Sequence, residues 1–334
     1  MVGSPEGSES SAPRGTASVA PPARTTLLRK VVPFFIAIAL MAFVFSRIDF
    51  QAFVHALAGL NIAPFLGFAL LWQISLLGAD ALGNYAAYRL TMPNVRYTDF
   101  YVFRGASYLP GMVNHHLGQA YMTYLMSKLA RMPLARVAGA TLVSYAGWMA
   151  CLLGCVTIAL PMTNLPLGYV PVILVIGVAY LVVVAIRPKF LERIAFLAPL
   201  FEAGLRGHAI SLAARVPHLA VLVLGTWLGY LFFGVKVPIG VALVYLPIML
   251  VATTLPITPQ GFGTRETLAQ AFFAAYAAGA TDAERLGRLT AATTAWGVAI
   301  TLSGILLGLV CSQVVSRRLQ ALRALSGPEV SATV

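Results

Sequence analysis

Long apolar runs broken by short basic joints set the pattern of this chain. Runs near the roughly 17–25 residues that a bilayer core demands fall at 31–45, 62–82, 137–160, 169–186, 217–235, 237–256, about 262–280 and 289–313. The first is short, and prolines limit others. The pattern predicts an all-α polytopic membrane protein with about eight transmembrane helices.

Two stretches depart from it. Residues 101–127 carry Arg104, then Pro110-Gly-Met-Val-Asn-His-His-Leu-Gly-Gln119, then Tyr121 and Tyr124. They are too polar to face lipid and too apolar for a plain loop. Arg89 and Arg96 precede them, and Lys128, Arg131 and Arg136 follow. Basic loops lie in the cytoplasm, so the segment is expected to enter and leave on one side, as a re-entrant element. The second stretch is Leu255-Pro-Ile-Thr-Pro-Gln-Gly-Phe-Gly-Thr-Arg-Glu266, set between the uncharged runs 239–254 and 267–280. Pro256 and Pro259 remove backbone donors and stop a continuous helix. Gly261 and Gly263 permit backbone angles that other residues avoid. Paired Pro/Gly-broken segments in two halves of a membrane protein point to a transport site. An inverted-repeat arrangement is therefore among the expectations, although no strong repeat links the halves.

A third stretch, 187–216, holds Arg187, Lys189, Arg193, Arg206 and Arg215 against Glu192 and Glu202, with Phe190, Ile194, Leu197, Phe201 and Leu205 at helical spacing. It reads as an amphipathic connector lying on the cytoplasmic interface.

Composition agrees with the runs: 59% of residues are hydrophobic, only 10% are charged, and mean hydropathy is +0.83, where a soluble domain carries about 25% charged residues. The net charge of +12 does not indicate nucleic acid, because the basic residues flank apolar runs and so point to an anionic membrane surface. Residues 1–26, rich in Ser, Ala, Pro and Gly, are expected to be a disordered cytoplasmic tail. A membrane domain at 27–316 and a second cytoplasmic tail at 317–334 complete the layout. Cys151, Cys155 and Cys311 lie in apolar runs, with neither disulfide nor zinc spacing. No metal or cofactor is expected. The 11 acidic residues are scattered, and no His-Glu-x-x-His, Gly-x-Ser-x-Gly or phosphate-loop pattern occurs, which disfavours an enzyme.

In the second broken segment, Thr258 caps a helix if that helix begins at Pro259; alternatively the glycines delay its start to about Thr264. Either way, free backbone donors and the positive helix end converge near Gly261–Thr264, a favourable place for an anion. Arg265 adds a planar donor fork suited to phosphate. Glu266 stands about 100° round the helix from it, so each is expected to seek another partner: Asp80 for Arg265, and Arg104 or a histidine for Glu266. Asn114, His115, His116 and Gln119 are expected to line the opposite wall. The plainer alternative is an ion-pair network that only locks the bundle.

The motif Leu255–Glu266 resembles the Pro-x-Ser/Thr-Pro-Gly-Gly-x-Gly-x-Arg-Glu pattern of the flippase-like family that includes the transmembrane domain of lysylphosphatidylglycerol synthases. Arg104, Tyr108, Asn114 and Gly118-Gln119 are similar to that family's first polar segment. The resemblance covers about residues 30–315 and implies a stand-alone member without the synthase's soluble domain. It also implies a bacterial cytoplasmic (inner) membrane, membrane lipids as partners, and movement of a polar or anionic-headed phospholipid, glycolipid or polyprenyl-linked lipid between leaflets; eight crossings with a re-entrant 101–127 put both termini in the cytoplasm. Gln260 replaces the usual glycine, and Gln119 stands where many members have glutamate, which argues against a cationic lipid. The alternatives are a non-transporting partner of a lipid-modifying enzyme or glycosyltransferase, and a membrane-embedded lipid transferase.

Overall fold

The computed structural model describes residues 35, 38–92, 94–113, 115–254, 258 and 261–325. The tail 1–26, Asn114, residues 255–257 and residues 259–260 lie outside them.

In chain order the helices are α1 (Ile38–Ser46), α2 (Phe50–Ala58), α3 (Ile62–Arg89), α4 (Tyr97–Ala106), α5 (Tyr108–Val113), α6 (His115–Ala130), α7 (Leu134–Ala159), α8 (Tyr169–Ile186), α9 (Lys189–Glu192), α10 (Ala198–Leu231), α11 (Ile239–Thr254), α12 (Thr264–Phe273) and α13 (Asp282–Leu325). No strand occurs among the described residues. α1 and α2 meet at 98°. Asp49 fixes that corner by accepting the Gln51 and Ala52 amides at 2.8 and 3.1 Å, which satisfies two donors that an uncapped helix leaves open.

Five helices are long and apolar enough to cross a membrane: α3, the α7 region Leu134–Met162, α8, α10 and Asp282–Arg318 of α13. The bent α1–α2 pair makes a sixth if it counts as one span. The eight expected runs also include 237–256 and 262–280. The first forms α11, only 16 residues long, and the second stops at Phe273 and turns into a 3-10 segment, Ala274–Tyr276. Residues 97–130 form three helices, none of span length; α6 packs back on α5 where Gly118 meets Gly111, a Cβ on Gly118 falling 3.0 Å from the Gly111 Cα. Small residues allow such backbone approach inside membranes.

The connector expected along 187–216 divides differently. α9 covers only Lys189–Glu192, and from Ala198 the chain enters α10 and runs on to Leu231. Gly204, at φ 59° and ψ −177°, breaks the helical backbone inside α10. Ser211 and Arg215 lie buried on it, so Arg215 belongs to the bundle interior and not to the surface.

Two apolar cores divide the bundle. One gathers Phe65 and Trp72 of α3 with Leu219 and Val223 of α10, Phe273 of α12 and Trp296 of α13. The other gathers Leu77 and Tyr88 of α3 with Phe100 and Phe103 of α4, Met122 of α6 and Cys311 of α13. α3 and α13 run through both. Along α3 the polar residues Gln73, Asp80 and Asn84 are buried, and the candidate site forms around them.

Candidate functional site

α12 starts at Thr264, the later of the two starts open to the sequence. Gly261 and Gly263 sit at φ 73° and 82°, a region that favours glycine. Glu266 is fully buried and brings Oε2 within 2.7 Å of the Gly263 amide, which donates to it. The Thr267 amide and hydroxyl both donate to the Gly263 carbonyl, at 2.9 and 2.7 Å. Thr258 is buried, and its hydroxyl lies 3.1 Å from that of Thr264. The Gly261 amide donates to the Thr258 carbonyl at 3.2 Å.

The helix start expected to receive an external anion therefore carries an internal one. A carboxylate at the third helical position reaches the amides its own helix leaves open, and the helix dipole favours it there. Among the described side chains, Glu266 accordingly pairs with Arg265 and with neither Arg104 nor a histidine. Arg265 donates from Nε and Nη2 to Glu266 Oε1, both at a long 3.3 Å, and its Cζ stands 5.2 Å from the centre of the Phe262 ring. It passes close to α13 at Gly297, where a Cβ would lie 2.8 Å from Cζ.

Asp80, expected opposite Arg265, instead holds Arg104 and Arg215. Arg104 Nε donates to Asp80 Oδ2, and its Nη1 to Ser107 Oγ at 3.3 Å. Arg215 Nη1 donates to Asp80 Oδ1 at 2.5 Å, and its Nη2 to Asn84 Oδ1 and Ser144 Oγ at 3.1 and 2.5 Å. Asn84 Nδ2 lies 3.1 Å from Asp80 Oδ1, and Ser144 Oγ donates to Asn84 Oδ1 at 2.9 Å. His218 Nδ1 is 3.9 Å from Asp80 Oδ1, with its ring against Trp148. Gly83 makes room for the Arg215 stem. A carboxylate removed from water keeps its charge only with such partners.

Arg215, Asn84, Ser144 and His218 are additions to the sequence expectations. Two signals in the sequence point to them. Asp80 and Asn84 stand one turn apart, and Ser211, Arg215 and His218 recur at i, i+4 and i+7, which puts each set on one helix face.

Between the two broken segments lies a cavity of about 240 Å³. Arg104, Ser107 and Tyr108 line it from the first segment and Phe262 and Arg265 from the second; Trp72 and Gln73 of α3 and Gly297 and Gly304 of α13 complete much of the wall. Two expected wall residues stand elsewhere: His116 is exposed and Gln119 is partly buried, and neither lines the cavity. Asn114 lies outside the described residues, and of His115 only the helical backbone is described. Around the cavity three guanidinium groups, on Arg104, Arg215 and Arg265, face two carboxylates, on Asp80 and Glu266. The cluster therefore carries an excess of positive charge, which favours an anion over a cation.

No curated protein and no solved structure matches the chain. The family described as Lysylphosphatidylglycerol synthase TM region matches it over residues 30–308. That stretch takes in both broken segments, both arginines of the cavity and the whole charge cluster, within a protein built from apolar helices. The chain is an integral membrane protein and belongs to the lysylphosphatidylglycerol synthase transmembrane-region family.

Proposed function

We propose that this protein moves an anionic-headed lipid, such as a phospholipid, a phosphate-linked glycolipid or a polyprenyl-linked lipid, between the leaflets of a bacterial cytoplasmic membrane. The observation that carries this reading is one cavity lined by two arginines, Arg104 and Arg265, from two separate broken segments. A lipid phosphate must leave water and keep hydrogen-bond partners while it crosses the apolar slab. The two guanidinium groups supply those partners, and Gln73, Ser107 and Tyr108 add polar groups on the same wall. The acyl chains stay in the bilayer beside the apolar helices. Relative movement of the two segments exposes the cavity to one leaflet and then the other. In this reading α11 and the α12 region bring the crossings to eight, both termini are cytoplasmic, and residues 97–130 enter from the cytoplasmic face. The exposed Arg96, Lys128 and Arg131 at the ends of that segment support this side.

The test is a leaflet-resolved assay of labelled lipids in proteoliposomes and in cells lacking the native protein. Wild type is expected to move anionic lipids faster than zwitterionic ones. Arg265→Ala is expected to fold at normal levels and to lose transport, and Arg265→Lys to lose part of it, because lysine keeps the charge without the fork. A folded Arg265→Ala protein with wild-type transport would remove the site. A wild-type protein that moves no lipid from a panel including its host's own lipids would favour a partner subunit that docks a lipid-modifying enzyme. Product formation from labelled lipid precursors would favour a transferase instead.

A further inference from the structure

The charge cluster is only partly open to the cavity. Arg104 lines it, whereas Arg215 lies behind Asp80 and does not. The two arginines occupy different oxygens of the same carboxylate, Oδ2 for Arg104 and Oδ1 for Arg215. Their fixings are unequal. Arg215 is held by Asp80, Asn84 and Ser144 together, and Asn84 also donates to Asp80 Oδ1. Arg104 has its bond to Asp80 and a 3.3 Å contact to Ser107, and its Cζ stands 5.7 Å from the centre of the Tyr108 ring, itself on the cavity wall.

Resting on the anion-binding reading above, we propose that Asp80 is a resident counter-anion that a ligand phosphate displaces from Arg104, while Arg215 keeps Asp80 compensated during the exchange. A buried carboxylate stripped of its only partner is strongly destabilising. With Arg104 alone, binding a ligand would strand Asp80 in that state. With Arg215 fixed on the other oxygen, Arg104 exchanges one acceptor, Asp80 Oδ2, for another, a phosphate oxygen. No proton moves and no covalent bond forms or breaks. When the phosphate leaves, Arg104 returns to Asp80. Asp80 is thus a positioning residue that competes with the ligand and sets how readily the ligand is released.

The full chain in zwitterionic nanodiscs is titrated with dioctanoyl phosphatidic acid, whose head is a bare phosphate, and in parallel with inorganic phosphate. The second arm shows whether the phosphate or the whole lipid is recognised. Asp80→Asn is expected to tighten whichever probe binds by roughly tenfold or more, since removing a competitor adds directly to affinity. It is also expected to slow leaflet exchange, because Arg104 no longer has a return partner. Adding Arg104→Gln to Asp80→Asn is expected to cancel the gain. Thermal unfolding gives an independent arm that serves even if Asp80→Asn does not fold. Arg104→Gln is expected to keep the wild-type midpoint within a few degrees, and Arg215→Gln to lower it clearly. Asp80→Asn binding as in wild type or more weakly, or Arg104→Gln unfolding as early as Arg215→Gln, would make the Asp80–Arg104 pair a structural lock and overturn the proposal. A wild-type protein that binds neither probe overturns the anion-binding reading itself, and this inference with it.

Discussion

Replacing Gly297 by alanine adds one methyl group where α13 passes the Arg265 guanidinium. The new Cβ would overlap Nη2, a nitrogen that donates to Glu266, and lie 2.8 Å from Cζ and 3.1 Å from Nη1, against the 3.4 Å at which such contacts become ordinary. α13 is a 44-residue helix packed against both apolar cores, so the side chain gives way and the helix does not. Arg265 is free to retreat because its two bonds to Glu266 are already long, at 3.3 Å. Glu266 keeps its 2.7 Å bond from the Gly263 amide throughout. The cost in stability is therefore small, about 1 kcal/mol, the low end of what an overpacked methyl group exacts. If the protein moves lipid as proposed, the cost in transport is larger. A positioning group misplaced by about 1 Å loses up to roughly 100-fold, and we expect a loss of at least about tenfold. Leaflet-resolved lipid exchange in proteoliposomes measures the rate, and thermal unfolding in detergent measures the stability. Gly177→Ala, on α8, where nothing lies within 4 Å of the added Cβ, is the control and should change neither. If Gly297→Ala transports at the wild-type rate while Arg265→Ala does not, the placement of Arg265 against α13 has no bearing on transport, and the reasoning from this contact is wrong.

Other substitutions probe the frame around the site. Gly83→Ala puts a Cβ 2.7 Å from Arg215 Cδ; that side chain is pinned by three partners, so we expect about 1–3 kcal/mol of destabilisation in thermal unfolding, and none for Gly67→Ala, which has open space around it. Trp72→Phe removes the 2.7 Å bond from Nε1 to the Val221 carbonyl and should cost about 1 kcal/mol, visible as a lower unfolding midpoint with the fold kept. Cysteines placed at the exposed positions Asn94 and Leu134, on either side of the segment 97–130, should react with an impermeant maleimide from the same face of the membrane; reaction from opposite faces would mean that the segment crosses.

Much of the fold was legible because hydropathy is local. Apolar runs of span length announced α3, α7, α8 and α13, and the prolines and glycines pointed to both broken segments. The number of crossings was less legible, since a run does not say where its helix stops: the 262–280 run reads as continuous, yet α12 ends at Phe273. At the site, Arg104, Arg265 and Glu266 stood out as charges inside apolar surroundings. Their pairing did not: Asp80 was expected opposite Arg265, yet it meets Arg104 and, across 135 positions of sequence, Arg215. Arg215 was hidden further by its neighbours. Arg193 and Arg206 belong to a basic stretch that suits a surface, and only the Ser211–Arg215–His218 face separates Arg215 from them. Glu266 had the opposite problem: its nearest donor, the Gly263 amide, is only three residues away, and a backbone donor leaves no mark in the pattern of charged residues.

The internal cap on α12 has a consequence for turnover. Backbone amides at a helix start are fixed in space, so an anion bound by them leaves only if it breaks several rigid contacts at once or if the helix unwinds. Here Glu266 occupies the Gly263 amide, and in the proposed cycle an incoming phosphate is held chiefly by side-chain donors, the guanidinium groups of Arg104 and Arg265 on the cavity wall. Side chains change rotamer on the picosecond to nanosecond scale at exposed positions, whereas backbone rearrangements take microseconds or longer. In the proposed cycle, a cavity furnished in this way would hold a phosphate through parts that can let go one at a time, so that its release asks for no unwinding of α12.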